Sequence, residues 1–291
     1  MAEIEIGVFG GSGLYDMEDL EVRDERLMDT PFGEPSGPVV LGELHGRPVG
    51  FLARHGKGHH LLPTEIPYRA NVWAMKRLGA RRIVSVSAVG SMQEEYAPTH
   101  IVVPDQFFDR TRHRADTFFG NGLVGHVSLA DPICAETAAV AVECAREVGA
   151  TVHAGGTYLC MEGPQFSTRA ESRVYRQWGM DVIGMTNLQE ARLAREAELC
   201  YATLAMVTDY DCWREEDEVH TATILEILRQ NVATARKVVA EMIRRLPERA
   251  DDHPCANALA GALVTDPQAV PEDTLLDLEP IVGKYLSKDD A

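Results

Sequence analysis

Short apolar segments rich in β-branched residues alternate along the chain with longer amphipathic segments. This alternation is typical of an α/β protein, in which helices flank a sheet. The short segments predict strands over residues 4–9, 49–53, 82–87, 101–103, 156–161, 181–185 and 200–208. The longer segments predict helices over residues 68–78, 135–148, 172–178, 187–197 and 224–246. We therefore expect an α/β fold with a mixed central sheet flanked by helices.

The composition of the chain changes after Leu246. The last 45 residues, 247–291, hold 10 acidic and 3 basic residues, together with five prolines. One short helix near Leu275 is predicted there, and no motif suggests chemistry. We therefore divide the chain into a domain over residues 1–246 and an acidic C-terminal tail over residues 247–291, which we expect to be peripheral.

Charge and the cysteines narrow the class of protein. The 291 residues carry 45 acidic and 28 basic side chains, a net charge of −17, which disfavours binding to nucleic acid or to an anionic membrane surface. No stretch resembles a signal peptide or a membrane span, so we expect a soluble cytoplasmic protein. The six cysteines form no CxxC pair, and we interpret them as reduced core thiols.

Glycines, a basic pair and small residues follow three of the predicted strands. The first strand ends in the loop Gly10–Gly13, and a later one ends at Ser87–Ser91. Between them, Arg54 and His55 follow the strand over 49–53. Ligands of open α/β sheets bind at the carboxyl ends of strands, and guanidinium and imidazole groups suit a phosphate dianion.

Each of these features has a simpler interpretation. The glycine loop matches neither the GxGxxG fingerprint nor a P-loop, so a strand-terminating turn explains it equally well. His55, His59 and His60 lack the acidic or cysteine partners of a typical zinc site, so we expect no metal there. A solvated turn remains open for His59 and His60.

Two further motifs carry more specific chemistry. Residues 162–171 contain a constrained turn, then an aromatic residue, Phe166, and then a capping box formed by Thr168 and Glu171. Asp209 and Asp211 end the most apolar strand, where two carboxylates are costly unless they are paired or protonated. An aromatic ring at a strand end can stack on a purine, but a helix start at which Phe166 merely packs is equally open. An Asx turn would explain one of the two aspartates, although two at alternate positions favour a functional role.

Together these motifs resemble the 5′-methylthioadenosine phosphorylase family. The resemblance covers residues 4–246, which would form a nucleoside phosphorylase domain, and does not extend into the tail. The matching motifs are Gly10–Leu14, Arg54–Gly56, Glu162–Glu171, Met185–Thr186 and Thr208–Trp213. The run Asn187–Glu190 departs from the family pattern. The resemblance implies a fold of the purine nucleoside phosphorylase type and a homotrimer with active sites near subunit interfaces.

The resemblance also assigns roles to individual residues. The implied phosphate site consists of Ser12, Arg54, His55, Ser87, Ala88 and Thr186. The implied base and ribose sites consist of Phe166, Ser167, Met185, Thr208, Asp209 and Asp211. The implied pocket for the 5′ substituent consists of Thr221, Ile224, Leu225 and, from a neighbouring subunit, His126.

The implied reaction is phosphorolysis of 5′-methylthioadenosine to adenine and 5-methylthioribose 1-phosphate, in the salvage of methionine and purines. Asp209 would protonate the leaving adenine at N7 and Asp211 would help to fix the base, while inorganic phosphate would be a co-substrate and no metal or organic cofactor would be needed. Three alternatives remain open. The chain could be a nucleosidase that uses water, a phosphorylase for another purine nucleoside such as adenosine or 5′-methylthioinosine, or a nucleotide-binding module without activity.

Overall fold

A computed structural model describes residues 3–11, 13–214 and 221–286, with the backbone course alone over residues 221–225. The described strands are β1 (Ile6–Gly10), β2 (Glu21–Arg26), β3 (Val39–Leu44), β4 (Arg47–Ala53), β5 (Arg82–Ser91), β6 (Ile101–Val103), β7 (Gln106–Arg110), β8 (Val152–Ala154), β9 (Thr157–Met161), β10 (Val182–Gly184) and β11 (Cys200–Asp209). The described helices are α1 (Tyr68–Leu78), α2 (Ala135–Glu147), α3 (Arg169–Gln177), α4 (Asn187–Glu196), α5 (Thr221–Arg245), α6 (Glu272–Asp277) and α7 (Glu279–Val282), with 3₁₀ turns at Pro254–Asn257 and Pro267–Ala269. The predicted α/β fold with a mixed sheet is confirmed.

The strands form a single mixed sheet in which β5 is the central element. The order is β2-β3-β4-β1-β5-β10-β9-β7, and β11 pairs with both β5 and β6. β1, β4, β5 and β11 run parallel, so their carboxyl ends lie at one edge. β10 is antiparallel to β5, with Ile183 opposite Gly90. Because β5 continues beyond the end of β1, where Phe9 lies opposite Ser85, β10 runs back along this extension and the residues that follow it approach the carboxyl end of β1.

Alternating side chains of the central strands enter two cores. Phe9 and Ile83 pack with α1 and α4 on one face of the sheet. Val8 and Val84 pack with α2 and α5 on the other face. Because successive side chains of a strand point to opposite faces, the continuous apolar strands predicted from the sequence contribute to both cores. No described helix is long and apolar enough to cross a bilayer.

The C-terminal segment does not form the peripheral tail that its composition predicts. Leu259, Leu278 and Ile281 are buried in the same core as α1 and α4. The Trp73 indole donates to the Asp277 carbonyl oxygen at 2.9 Å, and the Tyr285 hydroxyl donates to Glu198 at 2.6 Å. The described acidic side chains of this segment are exposed to solvent, whereas these apolar side chains are buried, and the net charge of the segment gives no sign of that burial. A separate folding unit over residues 1–246 stays a prediction.

Candidate active site

A cavity of about 660 Å³ opens where the carboxyl ends of β1, β4, β5 and β11 meet. Residues that follow β9 and β10 complete its wall, together with one face of α5. Ten of the predicted site residues line this cavity: Arg54, His55, Ser87, Ala88, Phe166, Met185, Thr186, Thr208, Asp209 and Asp211. The fold thus brings together residues that are up to 157 positions apart in the chain.

Two predicted residues lie outside the cavity wall. The Ser167 hydroxyl faces the Met161 sulfur at 3.5 Å, and Ser167 does not line the cavity. His126 is exposed, and its backbone nitrogen donates to the Ala262 carbonyl oxygen at 2.9 Å. The role of His126 toward a neighbouring subunit stays a prediction.

Four further predicted residues cannot be placed by their side chains. Ser12 lies outside the described residues, although Gly11 and Gly13 on either side of it line the cavity. The side chains predicted for the 5′ pocket also lie outside the described part of the chain: Thr221, Ile224 and Leu225. Their assignment stays a prediction.

Arg54 lies in the cavity wall but is already paired. Its side chain is 4% exposed, and its guanidinium donates to both carboxylate oxygens of Glu190. A further bond from Nη1 reaches the Val86 carbonyl oxygen at 2.9 Å. Burial opposes the charge of Arg54, but the Glu190 carboxylate outweighs burial and raises the pKa of the guanidinium. Arg54 therefore offers phosphate a hydrogen-bond donor in a fixed position. The Glu190 carboxylate largely neutralises the positive charge of its guanidinium.

A buried polar network holds the Arg54–Glu190 pair in place. The Ser85 hydroxyl and the Tyr201 hydroxyl both donate to Glu190 Oε2, at 2.7 and 2.9 Å. Asn187 donates to Ser85 Oγ and to Tyr201 Oη, at 2.8 and 2.9 Å, and accepts from Ser87, which lines the cavity. Every member is buried, so the network fixes the donors that face the cavity.

The pairing of Arg54 changes the expected effect of its removal. The resemblance suggests that Arg54→Ala loses phosphate binding while the fold stays nearly intact. Because the variant leaves the Glu190 carboxylate buried and unpaired, we expect it also to destabilise the protein by about 3–5 kcal/mol. Urea denaturation measures this loss. The double variant Arg54→Met/Glu190→Leu serves as the control and should regain most of the stability; equal losses in both would contradict the pairing.

His55 is neutral in this setting. Burial lowers its pKa to about 4. Its Nδ1 lies 2.9 Å from the Leu61 carbonyl oxygen, which can only accept, so Nδ1 carries the proton. Nε2 is then an acceptor, and it can take a hydrogen bond from the one P–OH group of hydrogen phosphate. The lowered pKa means that His55 adds no positive charge to the free site.

The low pKa of His55 predicts a pH dependence of stability. The folded state binds a proton only near pH 4, whereas an unfolded histidine binds one near pH 6.5. Stability from this group is thus present above pH 6.5 and is lost as the pH falls toward 4. We expect His55→Gln to remove roughly 1–2 kcal/mol of the stability difference between pH 7 and 4.5, as measured by denaturation at both values. Identical pH profiles for the two proteins would exclude this role.

Backbone dipoles supply the remaining attraction for an anion. Thr186 is the residue that precedes α4, and its side chain makes no capping hydrogen bond to the helix. Thr186, at the amino end of α4, lines the cavity together with Ser87. Helix amino ends and glycine-rich turns present N–H groups to anions. Arg54 is the only arginine or lysine among the described residues that line the cavity. Backbone dipoles therefore provide much of the attraction for an anion.

A β-bulge places the first aspartate. The pairing of β11 with β5 shifts register between Val207 and Asp209, so Asp209 lies opposite Gly90. A Cβ atom on Gly90 would lie 3.1 Å from Asp209 Oδ1, which explains the glycine. Thr208 Oγ1 lies 2.6 Å from Asp209 Oδ2 and 3.1 Å from the Val89 carbonyl oxygen. The Thr208 hydroxyl has one proton and can donate to only one of these two oxygens at a time. If Asp209 Oδ2 carried a proton, it would donate to Thr208 Oγ1, and the Thr208 hydroxyl could then donate to the Val89 carbonyl oxygen.

The surroundings of the second aspartate, Asp211, favour its protonated form. Burial raises its pKa, with a further contribution from Asp209, although the Ser172 hydroxyl donates to it and opposes the rise. The Asp211 backbone nitrogen donates to Asp209 Oδ1 at 2.8 Å. Its φ of 52° is a left-handed conformation that aspartate tolerates. Asp211 is therefore suited to hold a proton, and its backbone links it to Asp209.

One wall of the cavity was not predicted from the sequence. Leu228, Val232 and Ala235 present an apolar surface from α5, and Asn231 lies among them. Asn231 donates to the Val207 carbonyl oxygen at 2.9 Å, while its own side-chain oxygen is buried without a hydrogen-bond partner. Residues 61–63 line the opposite side. The helical pattern predicted α5, but it gave no sign of which positions face a ligand.

Comparisons with known proteins identify the family of this chain. The family model described as the Phosphorylase superfamily matches residues 5–244. The S-methyl-5'-thioadenosine phosphorylase of Geobacter sulfurreducens is 56% identical over 97% of this chain and 99% of its own length. The enzyme of the same name from Koribacter versatilis is 54% identical over 99% of both chains.

Solved structures give the same result. A methylthioadenosine phosphorylase sourced from an antarctic soil metagenomic library superposes with a TM-score of 0.92, at 47% identity over 97% of this chain and 99% of that one. The methylthioadenosine phosphorylase of Schistosoma mansoni, solved in complex with adenine, superposes with a TM-score of 0.84, at 35% identity over 89% of this chain and 99% of that one. The chain therefore belongs to the phosphorylase superfamily and, within it, to the S-methyl-5'-thioadenosine phosphorylase family.

Proposed function

We propose that this protein cleaves 5′-methylthioadenosine with inorganic phosphate, giving adenine and 5-methylthioribose 1-phosphate. The observation that carries the proposal is the division of the cavity. Donors and dipoles around Arg54 and Thr186 suit an anion, while Asp209 and Asp211 offer a proton at another part of the same cavity. The names of the relatives, S-methyl-5'-thioadenosine phosphorylases at more than 50% identity, support the same substrate.

In the phosphate site, placement matters more than net positive charge. Arg54, the Ser87 and Thr186 hydroxyl groups and the glycine loop orient the phosphate beside C1′ of the sugar. A phosphate oxygen forms the new bond to C1′ as the bond from C1′ to N9 breaks, and the bonding pair leaves with adenine. The proton that hydrogen phosphate loses balances the one that adenine gains. Neutral His55 can accept a hydrogen bond from that P–OH group.

At the base, a carboxylic acid assists departure. Adenine accumulates negative charge as the glycosidic bond stretches, and a proton delivered to N7 from Asp209 neutralises it. Asp211, whose pKa burial raises, lies two residues away and helps to hold the base edge. Phe166 lies at the cavity wall with 81% of its surface exposed, where it can stack on the purine.

The sugar and its 5′ group would lie along the apolar side. Met185 contributes to the wall next to Thr186 and would pack under the ribose. The surface of α5 formed by Leu228, Val232 and Ala235 provides apolar contacts for a methylthio group. Thr221, Ile224 and Leu225 would extend this surface. A free 5′ hydroxyl gains less from such a wall, by about 1–3 kcal/mol.

We further propose a cytoplasmic homotrimer that binds no nucleic acid, needs no cofactor for the reaction and uses phosphate as its co-substrate. The net charge of −17 supports the absence of nucleic acid. The high exposure of Phe166 beside the cavity supports a neighbouring subunit that covers it, with His126 contributed in the same way. Sedimentation analysis of the purified protein tests the oligomeric state.

The substrate proposal is tested by a base-release assay at saturating phosphate. The panel is 5′-methylthioadenosine, adenosine, inosine and 5′-methylthioinosine. We expect the highest kcat/KM for 5′-methylthioadenosine, with adenosine about tenfold or more below it. A preference for either 6-oxopurine nucleoside would overturn the assignment of the base.

A further inference from the structure

Three cysteines and a histidine from distant parts of the chain meet at one point away from the cavity. Cys134 precedes α2 and Cys200 begins β11, whereas His253 and Cys255 belong to the C-terminal segment. One ligand atom from each residue lies within 4.8 Å of the other three. Asp209 ends the same strand that Cys200 begins, about 30 Å away for a ten-residue strand. None of the four residues lines the cavity.

The cluster has the composition and size of a tetrahedral metal site. His253 Nδ1 lies 3.7 Å from Cys200 Sγ, and His253 Nε2 lies 4.0 Å from Cys134 Sγ. A zinc ion with bonds of about 2.3 Å to sulfur and about 2.0 Å to nitrogen would separate its ligand atoms by roughly 3.5–3.8 Å. The four groups therefore need to close by no more than about 1 Å around an ion. Three sulfurs and one imidazole are a common set for structural zinc.

Neighbouring groups are arranged as partners of such ligands. The Thr137 hydroxyl donates to Cys134 Sγ at 3.3 Å, and Arg195 Nη1 lies 3.8 Å from Cys255 Sγ. Glu136 Oε2 lies 3.7 Å from His253 Nε2, so an Nε2–H group would face a carboxylate. Hydrogen bonds of this kind orient metal ligands and stabilise thiolates. His253 Nδ1 accepts from the Cys255 backbone nitrogen at 3.1 Å, and coordination through Nδ1 would replace this hydrogen bond.

The surrounding charge also fits a bound ion. Zinc with three thiolates and a neutral imidazole carries one net negative charge, which requires cations close by. Arg195 contacts Cys255 directly. Arg82 is almost fully buried, donates to Thr137 at 3.0 Å and forms an ion pair with Glu136 at 2.6 Å.

We propose that Cys134, Cys200, His253 and Cys255 form a structural zinc site that joins the C-terminal segment to the start of β11 and of α2. Binding releases the three thiol protons as the zinc–sulfur bonds form, with no change of oxidation state. This replaces, for three of the six cysteines, the expectation of metal-free core thiols. The proposal is independent of the reaction in the cavity.

The test uses the full chain without an affinity tag, grown with zinc and purified without chelator. We expect about one zinc per chain by elemental analysis in the wild type. Replacement of zinc by cobalt(II) should give the intense d–d absorption of a tetrahedral site together with a sulfur-to-cobalt charge-transfer band. Cys255→Ser and His253→Ala should lose most of the bound zinc. Cys144→Ser, at a buried cysteine outside the cluster, is the matched control and should keep it.

Removal of the metal should lower the Tm of the wild type and of Cys144→Ser. If the ligand variants fail to fold, the cobalt spectrum of the wild type still decides the question. Less than about a tenth of a zinc per chain after reconstitution with excess zinc and a reductant would overturn the proposal. So would a disulfide between two of the three cysteines in protein alkylated directly in the lysate.

Discussion

Asp209→Asn is expected to reduce kcat/KM for 5′-methylthioadenosine by at least about a hundredfold, the scale of one general acid. An amide cannot deliver a proton to N7, although it keeps the contacts to Thr208 and to the Asp211 backbone nitrogen. The amide can also donate to the oxygen of a 6-oxopurine. The ratio of kcat/KM values for 5′-methylthioinosine and 5′-methylthioadenosine should therefore rise in the variant.

The control for this substitution is Asp131→Asn, at an exposed aspartate outside the cavity. It should leave both rates unchanged. If Asp209→Asn folds with native Tm and size but keeps the wild-type ratio of the two kcat/KM values, Asp209 does not determine the specificity for the base. Asp211, whose pKa burial raises, would then be the next candidate for the acid.

Removal of residues 247–291 is expected to unfold the protein. Leu259, Leu278, Ile281 and Val282 of this segment are buried, and each contributes about 1.5–3 kcal/mol through burial. Their sum approaches the whole stability of an ordinary domain, about 5–15 kcal/mol. The truncated chain should be recovered mainly as aggregate, and circular dichroism of any soluble fraction should lack a cooperative transition.

A pair of point variants tests the same packing without truncation. Leu278→Ala, at a position 2% exposed, should lower the free energy of unfolding by about 2–5 kcal/mol. Leu276→Ala, at a position 68% exposed, should change it by no more than about 0.5 kcal/mol. Similar small effects at both positions, together with a soluble and active truncated chain, would support the expectation that residues 247–291 form a peripheral tail.

The strands that could be predicted are those that form continuous apolar runs. β1, β5 and β11 carry apolar side chains on both faces, and their predicted bounds agree with the structure to within four residues. β2 was missed because its six residues, Glu21–Arg26, are almost all exposed and polar, so no apolar pattern marks them. It is held by backbone pairing with β3, a long-range contact that a local pattern does not contain.

The candidate site was also only partly predictable from the sequence. Residues at strand ends, such as Arg54 and Asp209, could be predicted because parallel strands share a carboxyl edge. The partner of Arg54 could not, since Glu190 is 136 positions away and lies on a helix. The Cys–His cluster was missed for the same reason: Cys134, Cys200 and Cys255 show no metal-type spacing, and only the fold brings them together.

Release of adenine from 5′-methylthioadenosine, measured with and without inorganic phosphate, tests the central claim most directly. The protein is first freed of phosphate, and both sugar products are quantified. The account predicts adenine release at least about a hundredfold faster with phosphate, with one 5-methylthioribose 1-phosphate formed for each adenine. Equal release without phosphate, with free 5-methylthioribose as the sugar product, would show hydrolysis and contradict the account.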